Sequence, residues 1–115
     1  MATTIYHNPR CSKSRQTLQL LQDNNVNAEV IEYLKTPPDE NTLREILKQL
    51  GLKPRQLIRT NEDIYKELNL ADESLSDDQL IQAMLNNPKL IERPIVVKDG
   101  KVAIGRPPEN ILTIL

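Results

Sequence analysis

The 115-residue chain has no phenylalanine and no tryptophan, and three tyrosines are its only aromatic residues. Its core must therefore be aliphatic, built from Leu, Ile and Val. A single cysteine, Cys11, excludes an internal disulfide and a four-cysteine zinc site. A lone thiol fits a reducing cytosol, so a cytoplasmic location is expected. No apolar run approaches the roughly 20 residues needed to span a bilayer. Met1-Ala2-Thr3-Thr4 shows no basic stretch leading into an apolar one, so no secretory signal is expected. A formal net charge of -1 gives no global basic field for nucleic acid. Neither Gly-x4-Gly-Lys nor Gly-x-Gly-x-x-Gly occurs, which excludes two common phosphate-cradling loops. What is present is 38% hydrophobic and 27% charged, the balance of one globular, soluble domain over residues 1–115.

The pattern along the chain changes twice. Thr3–His7 reads as a strand entering an Asn8-Pro9 turn, and Ser12–Asp23 as a helix with Leu18 and Leu21 on one side. Residues 28–33 read as a second strand centred on Val30 and Ile31. Strand, helix and strand make a βαβ unit with a right-handed crossover. Thr36-Pro37-Pro38-Asp39 is a rigid connector. Leu43, Ile46, Leu47 and Leu50 then follow helical spacing, with Gly51 as C-cap. Pro54 suits the first turn of a short helix carrying Leu57 and Ile58, and residues 62–70 read as another. Ser76-Asp77-Asp78-Gln79 is a capping box opening a helix with Leu80, Ile81, Met84 and Leu85. Residues 94–104 read as a hairpin around Asp99-Gly100, and residues 109–115 as a short amphipathic helix. The expected fold is α/β: a thioredoxin-like mixed sheet with an all-helical insert, about residues 39–90, between β-α-β and β-β-α halves.

Chemistry concentrates around Cys11. Most free cysteines are small buried hydrophobes, but this one falls at a helix start, where unpaired N–H groups and the positive end of the dipole favour thiolate. Arg10, Lys13 and Arg15 add positive charge. Cys-x-x-Cys would need a cysteine where Ser14 stands, and a Cys-x5-Arg phosphatase loop an arginine where Thr17 stands. The thiol must therefore be resolved by an external thiol if it turns over redox chemistry. His7, the only histidine, stands four residues before Cys11 across a tight loop. It is placed to stabilise the thiolate as imidazolium or to relay a proton when neutral. Asn8 and Ser14 are candidates to hydrogen-bond the sulfur or order the loop. Arg93 and Arg106 each precede a proline and flank the terminal hairpin, so antiparallel pairing brings them together. Forked guanidinium groups bind tetrahedral oxyanions. Spacing alone does not place Arg59. No metal or organic cofactor site is visible.

These residues resemble the glutaredoxin-coupled arsenate reductases of the thioredoxin superfamily over essentially the whole chain. The matching blocks include His7-Asn8-Pro9-Arg10-Cys11, Ser14-Arg15, Tyr33-Leu34-Lys35-Thr36-Pro37-Pro38, Leu57-Ile58-Arg59, Ser76-Asp77-Asp78-Gln79-Leu80-Ile81, Arg93-Pro94-Ile95-Val96-Val97 and Gly105-Arg106-Pro107. The resemblance implies that Cys11 is the nucleophile and that Arg59, Arg93 and Arg106 bind and polarise the oxyanion. It implies that Pro94 is a cis-proline facing the cysteine, with arsenate as substrate and glutathione and glutaredoxin as reductants. One departure stands out: Ser12-Lys13 follow the cysteine where the best-studied members typically carry Gly-Thr. Two other readings of the same fold are a Spx-like transcriptional regulator binding RNA polymerase and a monothiol glutaredoxin-like carrier. Ser14 opposes the redox switch of the first, and the hairpin arginines oppose the second.

Overall fold

A computed structural model describes residues 2–115, so the first residue of the expected 1–115 domain lies outside it. The chain divides into two compact units, one formed by residues up to Thr36 together with Arg93–Leu115, the other by Pro37–Glu92.

The first unit holds β1 (Thr3–His7), α1 (Ser12–Asp23), β2 (Ala28–Glu32), β3 (Ile95–Lys98), β4 (Lys101–Ile104) and a C-terminal 3-10 helix, Pro108–Ile114. The sheet order is β2-β1-β3-β4. β1 runs parallel to β2, with His7 in register with Glu32, and antiparallel to β3. The β3–β4 hairpin turns through Asp99 and Gly100, both at positive φ (52° and 79°), the backbone an Asp-Gly turn is suited to supply. Ile5, Leu21, Val96, Ala103 and Ile111 form its aliphatic core. Each fully buried aliphatic side chain of this kind contributes about 1.5–3 kcal/mol relative to exposure. This is the thioredoxin-like mixed sheet expected from the sequence.

Three details differ from the sequence pattern. β2 ends at Glu32 and is an edge strand, so Val30 is 45% exposed rather than central to a core. In α1, Leu21 is fully buried and Leu18 only partly; the buried positions one and two turns before Leu21 are the small polar Thr17 and Ser14. The terminal helix is 3-10 rather than α.

The second unit is helical. It comprises α2 (Glu40–Leu50), α3 (Pro54–Leu57), α4 (Asp63–Glu67), α5 (Asp77–Asn86) and a 3-10 turn, Pro88–Leu90. α4 is shorter than the pattern over residues 62–70 implied, because its chain turns at Asn69 with φ 53°. α2 and α3 pack on α5, burying Leu43, Ile46, Leu57, Leu80 and Met84. Asp39 caps α2 by accepting from the Thr42 N–H at 2.8 Å, and Gly51 closes it in the left-handed conformation. Ser76 and Gln79 cap α5 reciprocally, as the sequence motif requires. An isolated antiparallel bridge joins Ile58 to Ile91.

Candidate active site

Asn8 braces the loop that leads into Cys11. The Asn8 carbonyl accepts from the Cys11 N–H at 3.0 Å, and its Oδ1 accepts from the Arg10 N–H at 3.0 Å. The loop therefore delivers Cys11 to the N-cap of α1 in an extended conformation. No side-chain cap bond closes there, yet the N–H groups of Ser14 and Lys13 act on the sulfur. Partial burial pushes the half-buried thiol up. The Ser14 N–H, a hydrogen bond and charge from Arg93, and the Lys13 N–H outweigh that push and hold its pKa below the ordinary thiol value.

Two arginines converge on the sulfur. Arg106 Nη2 lies 3.4 Å from Cys11 Sγ, and Arg93 acts on the same atom. Hairpin pairing does bring the two together: Arg106 Nε donates to the Arg93 carbonyl at 2.7 Å. Both prolines that follow them are in the cis form, Pro94 as the resemblance implies and Pro107 without any such anticipation. Gly105 donates its N–H to the Pro94 carbonyl at 3.0 Å, which closes the base of the hairpin beside Pro94.

His7 is buried at the end of β1, and its Nδ1 lies 2.6 Å from Ser14 Oγ. The same Oγ accepts from the Asn8 N–H at 3.0 Å. Ser14 thus joins the strand end to the first turn of α1, and its own N–H serves the thiol. Burial lowers the His7 pKa; Glu32 raises it and Arg15 lowers it further, leaving the net shift downward. The downward shift favours the neutral imidazole over the imidazolium. The sequence pattern does not single out Glu32; aligning the ends of β1 and β2 is what finds it opposite His7.

Arg59 belongs to the helical unit. There its Nη1 donates to Glu92 at 2.7 Å and its Nε to Glu62 at 3.3 Å. Desolvation opposes its charge, but the two carboxylates more than compensate and raise its pKa. Among the described residues no group of three His, Cys, Asp or Glu side chains is placed to hold a metal ion, and no helix is long and apolar enough to cross a membrane.

Known proteins of similar sequence and structure point one way. The model of the ArsC family matches residues 6–114. The chain is 64% identical over 112 residues to the uncharacterized protein YfgD of Escherichia coli K12, covering 96% of this chain and 94% of that one. It is 50% identical over 112 residues to an arsenate reductase of Neisseria meningitidis serogroup B, covering 96% of each. The solved arsenate reductase from Vibrio cholerae superposes with a TM-score of 0.96 at 53% identity, covering 100% of this chain and 98% of that one.

Proposed function

The chain belongs to the ArsC family, and on that premise we propose that it reduces arsenate to arsenite through a covalent adduct at Cys11. The observation that carries this reading is the meeting of Arg93 and Arg106 at the Cys11 sulfur. Two cations beside a thiol of lowered pKa favour the ionised nucleophile and offset the charge of an incoming tetrahedral oxyanion.

In this reading the Cys11 thiolate attacks the arsenic of the doubly protonated arsenate monoanion, and one hydroxyl leaves with the remaining proton as water. Glutathione then displaces a second oxygen, which leaves as water with the glutathione thiol proton and one proton from solvent, and arsenic is still five-valent. A glutaredoxin thiolate attacks the glutathione sulfur. The sulfur–arsenic bond breaks with its electron pair passing to arsenic, which becomes three-valent, and glutathione leaves as a mixed disulfide on glutaredoxin. Water hydrolyses the remaining Cys11–arsenic bond, releasing arsenite and the thiol. The sequence of thiols comes from the family resemblance, as does the part of Arg59 in anion binding. His7, Asn8 and Ser14 order the nucleophile loop; that Pro94 faces the cysteine comes from the resemblance. No bound cofactor takes part, and a cytoplasmic supply of reduced glutathione suits the scheme.

The test is arsenate-dependent NADPH oxidation, coupled through glutathione, glutaredoxin and glutathione reductase, in wild type and Cys11→Ser. Activity in wild type alone is expected. Activity retained by Cys11→Ser removes Cys11 from the mechanism, and a folded but inactive wild type removes arsenate as the substrate.

A further inference from the structure

A cavity of ~340 Å³ lies within the first unit, beside the loop that leads into Cys11. One wall is the nucleophile loop, Asn8, Pro9 and Arg10; the other is the chain leaving β2, Glu32, Leu34 and Lys35. Its volume falls in the range of small-molecule sites, about 300–1,000 Å³. Asn8 clamps the loop wall through both its carbonyl and its side chain, so that wall is formed before any ligand arrives.

The charges are specific. Arg10 and Lys35 contribute two cations and Glu32 one anion, with Pro9 and the 39% exposed Leu34 as apolar surface between them. Glu32 and Lys35 touch each other only across a long, solvent-exposed 3.6 Å contact, which holds them weakly. A simple dianion would meet Glu32 as a repulsive neighbour. A ligand with two carboxylates and one ammonium group would meet a partner for each.

We propose that this cavity docks glutathione, with Arg10 and Lys35 receiving its two carboxylates and Glu32 its ammonium group. The assignment rests on the reading that a glutathione thiol attacks the Cys11 adduct. Glutathione is a tripeptide with carboxylates at opposite ends and its thiol in the middle. Three extended residues span about 10 Å, so anchoring the ends in the cavity leaves the thiol beside a loop whose next residue is Cys11. The cavity thereby supplies the resolving thiol that Ser14, standing in place of a second cysteine, cannot.

The experiment uses S-methylglutathione, which binds without reacting, titrated into isotope-labelled full-length protein. Amide shifts are expected at Asn8, Arg10 and residues 32–35. The Arg10→Ala/Lys35→Ala double variant should weaken binding about tenfold and Glu32→Gln about threefold, the scale of solvent-exposed ion pairs. An analogue lacking the amino group should bind wild type and Glu32→Gln alike. In the coupled assay the double variant should raise the glutathione KM by a similar factor, and Lys35→Ala alone should raise it in part while leaving the arsenate KM unchanged. Shifts confined to other surfaces, or affinities the variants do not alter, overturn the assignment. Cavity binding in a protein that does not reduce arsenate upholds the site and removes the arsenate reading. Arsenate reduction with an unmoved glutathione KM does the reverse.

Discussion

Arg106 Nε donates to the Arg93 carbonyl at 2.7 Å while Nη2 of the same guanidinium lies 3.4 Å from the Cys11 sulfur. One planar group thus joins the two ends of the hairpin and aims a charge at the Cys11 sulfur. Lysine offers a single ammonium and does not hold both positions. Arg106→Ala and Arg106→Lys are both expected to lose about 10–100-fold in kcat/KM for arsenate, the worth of a hydrogen bond to a charged group. Steady-state kinetics checks this; a lysine variant near wild type would show that charge alone suffices.

The Cys11 thiol ionises more readily in the folded chain than in the unfolded one. Its alkylation by iodoacetamide, followed against pH, should therefore reach half-maximum below the ordinary thiol range. Arg93→Ala should move that midpoint upward, because Arg93 lowers the pKa both by hydrogen bond and by charge. The sign for stability is the same as for any depressed acid. The contribution is complete above the unfolded thiol pKa and is lost as pH falls through the folded one. Cys11→Ser should abolish that segment of the stability profile.

His7 binds its proton less readily when folded. The unfolded chain then holds more protons between the folded pKa and about 6.5, so stability falls as pH drops through that window and levels off below it. Urea midpoints measured from neutral to mildly acidic pH should show this slope in wild type and a flatter one in His7→Gln.

Ser14 Oγ serves both the Asn8 N–H and His7 Nδ1 inside the fold. Ser14→Ala leaves two buried polar groups without that partner and should cost about 1–3 kcal/mol. The Ser14 N–H that acts on the sulfur survives the substitution, so the alkylation midpoint should move less than in Arg93→Ala. A midpoint shift as large as that of Arg93→Ala would show that the hydroxyl, rather than the backbone, sets the thiol.

At Gly105 a Cβ would press into the Thr17 side chain and approach Pro94 Cγ at 2.7 Å. Gly105→Ala should destabilise by about 1–3 kcal/mol through overpacking. Adding Thr17→Ser removes the Thr17 Cγ2 contact but leaves the hydroxyl oxygen and Pro94 Cγ in place, so equilibrium unfolding of the double variant should recover only part of the loss. Full recovery would place the whole strain on the Thr17 methyl group.

Local signals carried much of this protein in its sequence. The α2 spacing of Leu43, Ile46 and Leu47, the Ser76–Gln79 box and the Asp99-Gly100 turn each act within a few residues, so they could be read without neighbours. The same holds for Cys11 at a helix start, since cap and dipole belong to the adjacent turn. Tertiary structure decided what depends on partners distant in sequence. Val30 is exposed because β2 took the sheet edge. His7 meets Glu32 because two parallel strands fell into register, and Arg106 reaches Cys11 across 95 residues. The pairing of Arg59 with Glu92 likewise arises where the bridge at Ile58 and Ile91 brings two segments side by side. Hydrophobic period and capping chemistry specify the elements, whereas the charges that tune a thiol come from wherever packing sets them.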